Sequence, residues 1–137
     1  MTTLTIILLL LTLKHFIADA LLQKPYQYLN KGMYGHPGGI VHAGIHGIGT
    51  ILCFLPFGFG LLTCLALGVT DALIHYHIDW GKMNFGSARY SKITFDHAGK
   101  KALCIYDDKF FYWLIADQCL HFATYILLVS APVLNLT

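Results

Sequence analysis

Four stretches of mostly apolar residues, each close to the ~20 residues that cross a bilayer as one helix, occupy most of this 137-residue chain. They run from about Leu4 to Leu22, Ile40 to Phe59, Leu61 to Trp80 and Phe110 to Ala131. The pattern predicts an all-α fold: a polytopic membrane protein whose residues 1–137 form a single four-transmembrane-helix bundle. Phe57-Gly58-Phe59-Gly60 makes a tight hairpin between the second and third spans. Longer connections, 23–39 with Pro25, Pro37 and Gly38-Gly39, and 81–109, join the others.

Composition excludes the alternatives. Charged residues make up 12% of the chain, against about 25% in soluble domains. A protein of this size could not cover its surface with so few. The net charge of +2 is too small to drive binding to a phosphate backbone, so no nucleic-acid partner is expected. The first span ends in Ala18-Asp19-Ala20, which has the form of a signal-peptidase site. Met1-Thr2-Thr3 offers no positive charge, however, and Lys14 and His15 interrupt the stretch, so a retained span is expected. Cys53, Cys64, Cys104 and Cys119 form no C-x-x-C pair and read as small hydrophobes rather than a disulfide or zinc framework.

Orientation follows from the basic residues. Lys24, Lys31, Lys82, Arg89, Lys92, Lys100, Lys101 and Lys109 all lie in loops 23–39 and 81–109, while the hairpin and both tails have no Lys or Arg. The positive-inside rule places both loops in the cytoplasm and both termini outside.

Against this apolar background stand His15, Asp19, His42, His46, Asp71, His75, Asp79, Asp117 and His121, all inside the spans. An ionised residue at the bilayer centre costs roughly 2.5–3.5 kcal/mol on insertion scales, so such residues must face the bundle interior and satisfy one another. Their spacing is regular. His15 and Asp19, His42 and His46, His75 and Asp79, and Asp117 and His121 are each four apart, which puts both members on one helix face, one turn apart. Every intramembrane Asp has a His four positions away, since Asp71 also pairs with His75. Random placement of the histidines would do this roughly once in a thousand tries. The pairs lie near the ends of spans one and three and in the first halves of spans two and four. All four therefore fall in one layer on the cytoplasmic side.

The chain has seven acidic residues, all Asp. With Glu, the default solvated acid, missing, many of these carboxylates are expected to serve something other than solubility. Five His and three Asp in one layer is a metal-site composition. Four-helix bundles build dinuclear sites from inward-facing ligands in this way. Three carboxylates and one hydroxide would balance two divalent ions; without metal they would need protons or imidazolium partners. The eight metal candidates are thus His15, Asp19, His42, His46, His75, Asp79, Asp117 and His121, holding two divalent transition ions (zinc, iron or manganese). A purely structural or proton-relaying His–Asp network is the plainer reading, and haem between His15 and His42 or His46 a third, which the three Asp oppose.

Around these lie supporting candidates for orienting ligands or binding substrate. Gln23 continues the His15–Asp19 face. Asp71 extends the His75–Asp79 face and could orient His75 through its other nitrogen. Lys14 snorkels to the cytoplasmic side or binds an anionic substrate, and Lys82 is an anchor or a phosphate contact. His77 is expected at the interface and His36 and His97 in solvent. Gly39, Gly44, Gly47 and Gly49 are expected to let the second span approach its neighbours.

Taken together, His15-Phe-Ile-Ala-Asp19 with Leu22-Gln23, His42-Ala-Gly-Ile-His46, His75-Tyr-His-Ile-Asp79-Trp80 with Lys82, and Asp117-Gln118-Cys-Leu-His121 resemble the motif series of a family of small polytopic membrane proteins from bacteria and their phages, a domain of unknown function. The match covers most of the chain except loop 83–109, and departs at Ala20, where an aromatic often follows the first Asp. The resemblance implies a multi-pass protein of the bacterial inner membrane, and its analogy is to membrane-bound metal-dependent hydrolases.

Three functions compete. The leading one is a metal-dependent hydrolase at the inner leaflet, acting on a lipid or isoprenoid phosphate or ester. There, metal-bound water attacks, since no Ser or Cys stands where a nucleophile is needed, and Lys14, Lys24 and Lys82 hold the anionic head. The second is a non-haem di-iron oxidoreductase acting on a lipid. The third is no enzyme at all: a metal carrier, a proton-relay protein or a membrane factor that binds a host membrane protein through loop 81–109. Membrane lipids are the expected partners, with a homo-oligomer as a further possibility.

Overall fold

The structure is a computed structural model that describes residues 2–86, 91–95, 101–106 and 108–134, with side chains at 2–86, 109 and 111–132. Helix α1 (Thr3–Phe16) starts at Thr2, whose hydroxyl accepts from the Thr5 N–H, and continues into a π-helical turn, Ile17–Leu22. After the single turn α2 (Pro25–Tyr28) comes α3 (Pro37–Phe54). A 3₁₀ turn, Leu55–Phe57, then leads to Gly58, whose φ of +79° reverses the chain at no steric cost. Helix α4 (Leu61–Phe85), an antiparallel ribbon of β1 (Ser91–Phe95) and β2 (Lys101–Tyr106), and α5 (Asp108–Leu134) complete the chain.

Four helical stretches, Thr3–Leu22, Pro37–Phe57, Leu61–Phe85 and Phe111–Pro132, are long and apolar enough to cross a membrane. The chain is a membrane protein built as an all-α four-helix bundle. α1 packs against α3 and α5, and α4 packs against the same two, which closes a ring of four. The closest seam is α3 with α4. A Cβ added at Gly47 would come within 2.7 Å of the Gly68 carbonyl oxygen, and one at Gly68 within 2.7 Å of the Gly47 oxygen. Gly49 gives room to the stem of Lys14, whereas a Cβ at Gly44 would meet nothing within 4 Å, so Gly44 serves no close approach.

The interior is divided along its length. Ile7, Leu11, Phe54, Cys64, Leu67, Tyr125, Leu128 and Val129 form an apolar core at the hairpin end. The opposite half is lined by His, Asp and Lys. Outside, the polarity is inverted: Leu9, Leu13, Leu21, Ile48, Leu52, Leu62, Val69, Leu73, Leu120 and Leu127 are all more than half exposed. Apolar surface of that extent belongs against lipid.

The span boundaries differ from the expectation in two places. The second span begins at Pro37, whose fixed φ suits a first helical position. The third runs past Trp80 to Phe85, because its last turn docks on the 23–39 connection: the Asn84 side-chain amide donates to the Gly32 oxygen at 2.9 Å. Segment 81–109, expected as a plain loop, also contains the two-stranded ribbon. Its register pairs Lys92 with Ile105 and Ile93 with Cys104, and shifts between Ile93 and Phe95. Cys64 is buried in the apolar core, and Cys53, Cys64 and Cys119 are free thiols; the Cys104 side chain lies outside the described residues, as do His97, Arg89 and Lys100.

Candidate metal centre

Each of the four long helices delivers its four-spaced pair to the polar half of the bundle. α1 ends with His15, and the π turn that follows carries Asp19. Their Nε2 and Oδ2 atoms lie 3.3 Å apart. The wider π turn presents the Asp19 carboxylate to α3, where Oδ1 stands 3.1 Å from His42 Nε2 and 3.2 Å from His46 Nε2. Turns of this kind are frequent at functional sites. From α4, Asp79 Oδ2 reaches His42 Nε2 at 3.2 Å and its own helix's His75 Nε2 at 3.3 Å. On α5, Asp117 Oδ1 lies 3.5 Å from His121 Nε2. The His46 and His75 rings stack with centroids 3.5 Å apart, and His121 lies against His75 at 4.2 Å. Seven of the eight residues are 3% exposed or less; the Asp19 side chain, at 28%, is the one that meets the outside.

Three sets of these residues can each gather one donor atom per residue within 4.8 Å: Asp19, His42, His46 and His75; His15, His75 and His121; and Asp79, Asp117 and His121. His75 joins the first set to the second and His121 the second to the third, so the donors form one continuous array of five imidazoles and three carboxylates. These groups could hold a metal ion. A hydrogen-bond network alone does not account for them. His46 Nδ1 and His75 Nδ1 are buried without a hydrogen-bond partner, and His15 Nε2 and Asp117 Oδ1 have no hydrogen bond beyond their 3.3 and 3.5 Å approaches to Asp19 and His121, where native interiors satisfy nearly all such atoms. His42 and His75 point Nε2 at Nε2 across 3.2 Å, a contact that is a hydrogen bond when one of the two nitrogens carries a proton. Nitrogens and carboxylate oxygens converging in this way fit a cation.

Beneath the array lies a buried ion pair. Lys14 Nζ donates to Asp71 Oδ2 at 2.7 Å, and Thr50 Oγ1 donates to the same oxygen at 2.6 Å. The Lys14 ammonium also touches the Tyr125 hydroxyl at 3.3 Å and the His46 carbonyl oxygen at 3.4 Å. Tyr125 in turn reaches His15 Nδ1 at 2.8 Å. Lys14 therefore does not snorkel. Its stem passes over Gly49 and its charge is met inside the bundle by Asp71. Asp71 is likewise not the partner of His75 Nδ1, because its carboxylate is spent on Lys14 and Thr50. The imidazole of the array held from below is His15, and its partner is Tyr125.

At the other rim stand two further lysines. Lys82 Nζ lies 2.8 Å from Asp117 Oδ2 and 4.0 Å from Asp79 Oδ1. Lys31 Nζ, carried inward by the 23–39 connection, lies 3.1 Å from Asp79 Oδ2 and is buried. The Gln23 amide sits 3.0 Å from His42 Nε2, and Gln118 donates to Asp117 Oδ2 at 3.0 Å.

Lys31, Thr50 and Tyr125 were not among the candidate residues. Thr50 and Tyr125 each lie four residues beyond a site His, and that periodicity was the available signal for them. Lys31 carries no such signal, because a loop and not a helix face places it.

The other described histidines, His36 and His77, stand apart from the array. His36 caps α3, its Nδ1 accepting from the Gly38 N–H at 3.0 Å, so it is a structural cap rather than a free solvated side chain. His77 is exposed and meets the Tyr34 hydroxyl at 3.2 Å, beside Tyr76 and Trp80, the kind of aromatic cluster that marks a membrane interface.

No curated protein and no solved structure matches the chain. The family described as "Protein of unknown function (DUF3307)" matches residues 6–137, nearly the whole length, and the chain belongs to that family.

Proposed function

We propose that the array binds two divalent transition ions, zinc, iron or manganese, and that the protein is a hydrolase of a lipid or isoprenoid phosphate or ester. The observation that carries this reading is the convergence of five imidazoles and three carboxylates from all four helices, with buried donor atoms left unpaired. Two ions held in such a set would supply an activated water and a clamp for a phosphoryl or acyl oxygen. His75 and His121, shared between donor sets, would bridge the ions' surroundings. Asp19, the most exposed ligand, would face the incoming substrate. Lys82 and Lys31 stand at the rim where an anionic head would arrive, and Tyr125 holds His15 from behind. The basic loops argue that this rim faces the cytoplasm, in the bacterial inner membrane, with both termini outside.

The test is hydrolysis of a long-chain phosphate monoester by protein purified without chelator, with and without Asp19→Asn and His46→Ala. Metal-dependent release of phosphate that both variants lose supports the reading. Bound iron with substrate-driven oxygen consumption and no hydrolysis would replace it with the oxidoreductase.

A further inference from the structure

Among the described residues, the seam between α4 and α5 is open. A groove of about 670 Å³ runs along it, with Leu73, Ile78, Phe85, Trp113 and Leu120 as apolar walls and Gly81 between them. Lys82 and Asp117 also line it, and both belong to the rim of the His/Asp array. The groove therefore connects the lipid-facing surface sideways with the array. From Leu73 to Lys82 it follows nine residues of α4, about 14 Å of helix axis. Phe85 and Trp113 lie at the loop end, where aromatic residues meet the headgroups. The α1–α3 seam differs: its groove is smaller, about 280 Å³, and although both lysines are paired, Lys14 with Asp71 and Lys82 with Asp117, the Lys14 side chain lies deeper, 8% exposed against 15%.

The geometry points to a lateral entry site: the α4–α5 groove takes the hydrocarbon chain of a single-chain lipid phosphate drawn from the bilayer, and Lys82 takes its phosphate. This rests on the hydrolase reading for its purpose, though not for its test. The occupant follows from the two ends of the groove. The walls are apolar and open to lipid, which suits a chain that never leaves the membrane. The end carries the Lys82 ammonium, paired with Asp117 at 2.8 Å yet still lining the groove, so that an anionic head would share it with Asp117 where a neutral head would not. A soluble phosphate would leave the walls unused.

Gly81 offers a clean way to fill the groove, since a Cβ there meets nothing within 4 Å. Gly44 on α3 is equally open but lies off the groove. The experiment is photolabelling in phosphatidylcholine vesicles, with dodecyl phosphate carrying a diazirine in its chain as the probe and dodecanol carrying the same group as the neutral control. Labelled peptides are mapped by mass spectrometry. The phosphate probe should label α4 and α5 around Leu73 and Leu120. Gly81→Leu should lower that labelling tenfold or more, Ala116→Leu from the facing wall should do the same, and Gly44→Leu should leave it unchanged. Lys82→Gln should reduce labelling by the phosphate probe to the level of dodecanol. Unlabelled dodecyl phosphate should compete and ethyl phosphate should not. Equal labelling of Leu52 and Leu62 on other faces, full labelling in both filled variants, or equal labelling by dodecanol and the phosphate in the wild type would overturn the proposal. Because the readout is binding, groove labelling without hydrolysis would remove only the hydrolase reading. Hydrolysis that survives both filled variants would remove only the groove.

Discussion

The Tyr125 hydroxyl fixes His15 at Nδ1, while Nε2 faces the Asp19 carboxylate at 3.3 Å without a hydrogen bond, and one nitrogen fixed with one presented is what a metal-binding imidazole needs. His46→Ala or Asp117→Ala should each lower bound metal severalfold by elemental analysis, while His36→Ala, which removes only a cap worth about 1 kcal/mol, should keep full content. The Lys14–Asp71 pair makes a separate prediction. Removing one partner from a buried pair strands the other charge, so Lys14→Met should cost about 3–5 kcal/mol in detergent unfolding. Lys14→Met combined with Asp71→Leu should cost clearly less than the sum of the single changes. Additive losses would mean that the two charges do not depend on each other. Lys14 also shows what spacing cannot reveal. Its position beside His15 suggested a charge escaping to water. Its actual partner, Asp71, comes from a different helix, through a gap that Gly49 leaves open.

At the scale of elements, the four-spaced pairs were legible because helical periodicity makes any such pair share a face, and each long helix carries one. The π turn at Ile17–Leu22 was not: it re-aims Asp19 toward His42 and His46 without any change in the spacing from His15. The ribbon in segment 81–109 had a signal that went unused, the β-branched and aromatic run Ile93-Thr94-Phe95 and the apolar run ending in Ile105-Tyr106. The seam between α3 and α4 depends on two facing glycines, of which Gly68 was not foreseen, because only its partner's backbone defines its role. Gly68→Leu would drive a side chain into the Gly47 carbonyl and Ile51. It should destabilise by about 1–3 kcal/mol or more and lower bound metal as well, since α3 and α4 carry His42, His46, His75 and Asp79. Normal metal content in Gly68→Leu would show that the seam does not position the array.

For the whole molecule, the division into an apolar half at the hairpin end and a polar half at the loop end is the central feature. Hydropathy alone placed the pairs in one layer, and the bundle assembles them there. What hydropathy could not convey is how the 23–39 connection folds back to seal the layer with Lys31. The orientation is testable on its own. In cysteine-free protein, single cysteines between positions 89 and 101 should react with impermeant maleimide only from the cytoplasmic face, and one at position 58 only from outside. The reverse pattern would move the array to the outer leaflet. The most direct test of the account is the metal content of protein purified from membranes without chelator. The expected result is about one to two equivalents of a transition metal per chain, with chelation removing it and lowering Tm by several degrees, because bound metal stabilises by mass action. A metal-free preparation whose Tm is unmoved by chelator or by added zinc, iron or manganese would contradict the account and leave the array as a hydrogen-bonded brace.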